Sequence, residues 1–148
     1  MIEIVFAIVI IGILAAVAIP RLAATRDDAV LVKGKSQVSA IRSGIALQRS
    51  LRLMRGEANQ NPATLDGAAA NTENTALFFF NDGNQSNILE SPIMSRNADG
   101  GWMKPNGAGA PFVYRFRLTN AINVDFTYNP GTGSFTCPDN ANCRNLTQ

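Results

Sequence analysis

Hydrophobic and polar positions change their rhythm three times along this chain. The opening stretch MIEIVFAIVIIGILAAVAIP holds sixteen uncharged residues in a row, Ile4 to Ile19, headed by the carboxylate of Glu3. That run predicts a helix for an apolar environment over residues 1–20, a bilayer or a bundle of helices. After Pro20 the apolar spacing becomes amphipathic. Val38, Ile41 and Ile45 stand at i, i+3 and i+7, Leu31 extends the stripe backward, and Gly34 and Gly44 permit close approach. Residues 21–55 are predicted as the amphipathic second half of one stem helix, about 50 Å long at 1.5 Å per residue. Residues 56–110, low in charge and rich in Asn, Ala and Gly, read as a connecting region. Within it Phe78–Phe80 is expected to fill a core, the other reading being an exposed sticky patch. From 111 to 148 the period falls to two. Phe112, Tyr114, Phe116 and Leu118 alternate with Val113, Arg115 and Arg117; Ile122, Val124, Phe126 and Tyr128 alternate with Asn123, Asp125 and Thr127. Turns at TNA and NPGTG lead to a third strand near Ser134–Cys137. The expected class is α+β: a long stem helix packed on a small antiparallel β-sheet head.

Composition sharpens this picture by exclusion. The 148 residues include no His, which removes every His-dependent triad and metal site, and neither a P-loop nor a G-x-S-x-G stretch occurs. No catalytic constellation is found, so the chain does not read as an enzyme. The net charge of +2 is unevenly divided. Between 21 and 55 eight basic residues face only Asp27 and Asp28, whereas from Gly56 onward five basic residues face eight acidic ones. A basic stem and an acidic body suggest contacts between copies or with an anionic partner. Arg42, Arg49, Arg52 and Arg55 are the candidate intersubunit charges, meeting acidic patches of neighbouring heads or DNA; the plainer alternative is a solvated face.

The two cysteines, Cys137 and Cys143 in CPDNANC, are close enough to close a small disulfide loop, the alternative being two free thiols. Asp139, Asn140 and Asn142 in that loop could crowd oxygens around a calcium ion, but they lack the EF-hand pattern. A polar disulfide loop with no metal and no cofactor is the preferred reading, with Asp139 the candidate calcium ligand otherwise.

Three readings compete for the N-terminal segment. A cleaved secretory signal would use Ala16-Val17-Ala18, and would leave a secreted soluble binding domain; yet no basic residue precedes the apolar run. A plain membrane anchor is short, because sixteen residues rise about 24 Å against a ~30 Å hydrocarbon core. An assembly helix accounts for Glu3. A carboxylate at the bilayer centre costs about 2.5–3.5 kcal/mol, but it becomes favourable beside another chain's N-terminal amine in a water-poor bundle. Glu3 would then set the register between copies. Gly12 and Pro20 weaken the helix at GILAAVAIP, by about 1 and 3 kcal/mol in an interior position; a packing notch and a kink are the local alternative.

IEIVFAIVIIGILAAVAIPRL resembles the N-terminal helix of type IV pilins and type II secretion pseudopilins. Glu3, Gly12 and Pro20 stand at the places of that family's acidic residue, mid-helix glycine and terminal proline. The likeness is close over roughly the first 30 residues; the stem and β-rich head agree in outline. It implies the pilin fold, with 56–110 as the variable connection, and a homopolymer built through the N-terminal helix. It implies an inner-membrane pool of monomers feeding an extracellular or periplasm-spanning filament, served by a prepilin peptidase and the pilus or secretion assembly machinery. Adhesion, motility or DNA uptake follow if the filament is a type IV pilus; export follows if it is a pseudopilus. By the same likeness, Gly12 to Pro20 unravels on assembly. Mature family chains usually carry two more residues ahead of the glutamate, so the methylated first residue of the family is not assigned to Met1. The Cys pair favours the pilin over the major pseudopilin.

Overall fold

The computed structural model describes residues 2–80, 87–107, 109–119 and 121–148, apart from the side chains of 18–24. One helix, α1, runs unbroken from Ile2 to Met54, 53 residues and about 80 Å long. The segments 1–20 and 21–55, read as the two halves of one stem, lie within this one helix. Its backbone stays helical through Gly12 and Pro20; the ring of Pro20 and the side chain of Ala18 lie outside the described residues, as does Met1. The far end stops by a glycine cap. Gly56 has φ +69°, its N–H bonds Leu53 O at 3.1 Å, and the Glu57 N–H bonds Arg52 O at 3.0 Å, the paired closure of a Schellman motif.

The sheet is an antiparallel meander of β3 (Trp102–Met103), β4 (Phe112–Thr119), β5 (Ile122–Asn129) and β6 (Ser134–Thr136), in that order. A separate two-stranded ribbon joins β1 (Ala76–Leu77) and β2 (Ile93–Met94). A short helix, α2 (Ala141–Thr147), closes the chain. The molecule is α+β, with the second half of α1 laid on a small antiparallel sheet.

Burial follows the alternation. Phe112, Tyr114, Phe116 and Leu118 from β4 and Val124, Phe126 and Tyr128 from β5 face Val38, Ile41 and Ile45 of the helix. Trp102 and Phe135, from the edge strands, complete a nearly all-aromatic layer. Gly34 and Gly44 are buried where the helix comes closest. A Cβ at Gly34 would fall 2.5 Å from the Phe116 ring and 2.7 Å from Leu146, and one at Gly44 would strike the Ile88 carbonyl. Ile122, expected inside, is instead 37% exposed. The register of β4 on β5 shifts between Arg117 and Thr119, and this bulge breaks the alternation at the strand end. The turn expected there contains Asn120, outside the described residues. Of the Phe triplet, Phe78 is fully buried while Phe79 and Phe80 are only half-buried.

Candidate functional site

Two surfaces of one helix define the site. Residues 2–17 are exposed throughout, and among the described residues no hydrogen bond or ion pair joins their side chains to the head. Ile4, Phe6, Ile11 and Leu14 are 65–69% exposed, and the glutamate in the first turn, Glu3, is exposed as well. No basic group among the described residues pairs with that carboxylate. At Gly12 an added Cβ would meet nothing within 4 Å. A helix apolar on every side is a buried element, so this one lacks its environment in the single chain. Among the described residues, no helix is long and apolar enough to cross a membrane.

Higher up, the stem becomes a structural part of the head. Arg26 and Lys33 reach the 97–101 loop, by an ion pair to Asp99 at 3.9 Å and a hydrogen bond to Gly100 O at 2.8 Å. Gln37 Oε1 accepts from the Trp102 indole at 3.0 Å, and Gln48 Nε2 donates to Asn87 O at 2.7 Å. Three of the four candidate arginines are engaged within the chain. Arg42 Nε donates to Phe135 O at 3.1 Å, binding the stem to the open edge strand β6. Arg52 and Arg55 share Glu57, at 3.2 and 3.7 Å. Arg49 is exposed.

Cys137 and Cys143 form a disulfide, with Cα atoms 5.9 Å apart. It spans more than the polar loop expected there, because the residues after Asn140 fold into α2. Asn140 caps that helix, its Oδ1 accepting from Cys143 N at 2.8 Å, and Leu146 presses onto the stem at Gly34. Of the three residues considered for calcium, Asp139 and Asn140 have their oxygens engaged within the chain. Asp139 pairs with Arg144 at 2.8 Å, a cation where a metal site requires acids, and among the described residues no group of metal-ligating side chains converges.

Comparison with protein-family profiles, curated proteins and solved structures finds no match for this chain.

One cluster had no signal in the sequence. Asp66 and Lys104 form a buried ion pair with Oδ1 and Nζ 2.8 Å apart and side chains 0% and 6% exposed. Lys104 also donates to Ala68 O at 3.0 Å and sits 5.6 and 5.8 Å from the centres of the Phe112 and Tyr114 rings. Asp66 accepts from the backbone N–H groups of Ala68 and Phe78. With both Asp66 oxygens accepting and two Lys104 protons donated, the pair ties the connecting region to the sheet, where a broken pair would strand a charge. Its two members are far apart in sequence and lie in unpatterned segments, so only the folded chain brings them together. The neighbouring Tyr114 hydroxyl is buried without a hydrogen bond of ordinary geometry. Burial first, and then the Asp66 carboxylate, holds its pKa well above the usual tyrosine value. Burial likewise pushes Tyr128 up to about 12, while its hydroxyl donates to Pro62 O at 2.6 Å. These groups are structural: they are sealed inside the head.

Proposed function

We propose that this chain is a pilin-like structural subunit that polymerises through its N-terminal helix into a type IV pilus filament. The observation that carries this reading is a single continuous helix with two environments. Its second half is fastened to a compact head, and its first sixteen described side chains are bare, apolar all round and interrupted by one carboxylate. A domain that needed only a tether would gain nothing from that carboxylate. In a staggered bundle it meets the N-terminal amine of another copy, and each chain's bare helix is covered by its neighbours'. Before assembly the same helix rests in the inner membrane. A prepilin peptidase and the filament assembly machinery are the partners this life cycle requires. Adhesion, motility or DNA uptake would be the filament's work.

The test is electron microscopy of sheared surface material, with mass spectrometry of the subunit and its N-terminus. Fibres composed of this chain with the apolar helix retained, and lost on Glu3→Ala while the folded monomer persists, are the expected result. A processed protein held in the inner membrane without surface fibres would point to a pseudopilin of a secretion system. An N-terminus after Ala18 would overturn the filament reading in favour of a secreted domain.

A further inference from the structure

The pair of Asp66 and Lys104 stands apart from the other charges of the head. In every other ion pair among the described residues one side chain is at least 37% exposed, whereas these two are sealed. Each reactive end is also held still. Lys104 follows directly on β3, and its Nζ lies between Asp66 Oδ1 at 2.8 Å and Ala68 O at 3.0 Å. The Asp66 carboxylate is fixed by the backbone N–H of Ala68 on Oδ1 and that of Phe78 on Oδ2. Phe78 takes φ +58°, a left-handed backbone that a bulky residue rarely adopts. Its ring is buried in the aromatic layer while its N–H meets Oδ2 at 3.2 Å, and backbone strain of this kind gathers at functional sites. The rings of Phe112 and Tyr114 close over the amine and shut out water.

We propose that Lys104 and Asp66 condense into an amide, a covalent cross-link between Nζ and Cγ that forms once the head has folded. A proton crossing the hydrogen bond from Nζ to Oδ1 leaves an amine beside a carboxylic acid, a neutral couple that buried surroundings penalise least. The amine then attacks Cγ. Charge gathering on Oδ2 is met by the Phe78 N–H, which stands as an oxyanion donor. Nζ gives up two of its three protons, both to Oδ1; the Cγ–Oδ1 bond breaks, and Oδ1 leaves as water. No oxidant, cofactor or activated carrier is consumed. Two features favour the bond inside the head. Fixed orientation is equivalent to effective molarities of about 10⁵–10⁸ M, and the amide leaves no buried charges to be kept from water. Ala68, whose carbonyl accepts from Nζ, also lines an open cleft with Gly67, Thr75 and Phe79, a way out for the released water. The cross-link closes the chain from 66 to 104 into a loop that carries Phe78, β1 and β2. It does not depend on the filament reading, since both partners lie within one head.

The experiment is mass spectrometry of the full chain, purified folded and then reduced and denatured. Compared with Lys104→Met from the same preparation, the unsubstituted chain should be lighter by one water beyond the difference between the two side chains. Fragmentation of a protease digest should find the peptides holding Asp66 and Lys104 joined as one branched species, in excess of the unjoined pair. Full mass in the unsubstituted chain, or unjoined peptides in excess, would overturn the cross-link. So would a water lost within one unbranched peptide, because Asp66 precedes Gly67 and an aspartyl–glycyl pair can close on itself as a cyclic imide. Should Lys104→Met fail to fold, the digest of the unsubstituted chain decides alone.

Discussion

At the scale of single residues, space decides more than chemistry does. Gly44 and Gly12 are both helical glycines, and each should gain about 1 kcal/mol of helix propensity on conversion to alanine. At Gly12 the new methyl meets open space, so Gly12→Ala should stiffen the lower stem and leave the head untouched. At Gly44 it collides with the backbone carbonyl of Ile88, which cannot swing aside as a side chain can. Overpacking of this kind costs about 1–3 kcal/mol, so Gly44→Ala should lower head stability despite the propensity gain. Urea unfolding of the full chain in mild detergent measures it; an unchanged midpoint would disprove the contact. The two raised tyrosines make a second residue-scale prediction. Below pH 10 Tyr114 and Tyr128 are protonated in folded and unfolded chains alike, and their titration adds no pH dependence to stability. Above pH 10 the unfolded chain releases its phenolic protons first, while the folded chain still holds them, to about pH 12 for Tyr128. The folded state then binds more protons, so stability must fall as pH rises. Tyr114→Phe should flatten that fall and be neutral or stabilising at pH 7, because it deletes a buried hydroxyl with no hydrogen bond. Tyr128→Phe should flatten it too, but should cost about 1 kcal/mol at pH 7 through the lost bond to Pro62. Alkaline titration of unfolding, followed by Trp102 fluorescence, separates the two variants.

At the scale of elements, the long periodic segments were legible and the short tertiary ones were not. β4 and β5 announced themselves because a strand with one buried face must alternate, and eight residues give that alternation room to be read. The stem announced itself by Val38, Ile41 and Ile45. β3 has two residues and is a strand only because β4 offers it partners; no local pattern encodes that. α2 was hidden for a different reason. Its seven residues are too few to form alone, and they are held by the Asn140 cap, the disulfide and the seat of Leu146 against Gly34. The site was legible in the same measure: Glu3 and the apolar run stand out in the sequence. The engagement of Arg42 and Arg52 inside the chain depends on distant backbone and on the helix cap. If α2 is as dependent as this, Asn140→Ala should cost about 1 kcal/mol, and reduction of Cys137–Cys143 about 2–3 kcal/mol. Amide hydrogen exchange in 141–147 should rise in both cases, with β4 and β5 still protected at moderate denaturant. Uniform loss of protection across the sheet would mean that α2 and the sheet unfold as one unit.

For the whole molecule, the question is whether the two halves of the rod are energetically separate. Side-chain links from α1 to the head include those of Arg26, Lys33, Gln37 and Gln48, and among the described residues the buried helix positions run from Gly34 upward. Residues 2–17 make none of these contacts. Changes at sites this far apart and sharing no partner should add independently. Trp102 is the chain's only tryptophan, fully buried in the aromatic layer and bonded to Gln37, so its fluorescence reports the head alone. Glu3→Ala and Gly12→Ala should therefore leave the Trp102 unfolding transition unchanged within about 0.5 kcal/mol. On the proposed filament reading, self-association of the same variants, followed by chemical cross-linking, should change, most strongly for Glu3→Ala. Gln37→Ala should do the reverse, shifting the Trp102 transition while leaving association through the lower stem intact. The opposite outcome has a definite meaning. If Glu3→Ala destabilised the head, the rod would transmit strain from its bare end to its core. Assembly would then be coupled to head folding, contrary to a stem whose lower half is free to join other copies around a head already formed.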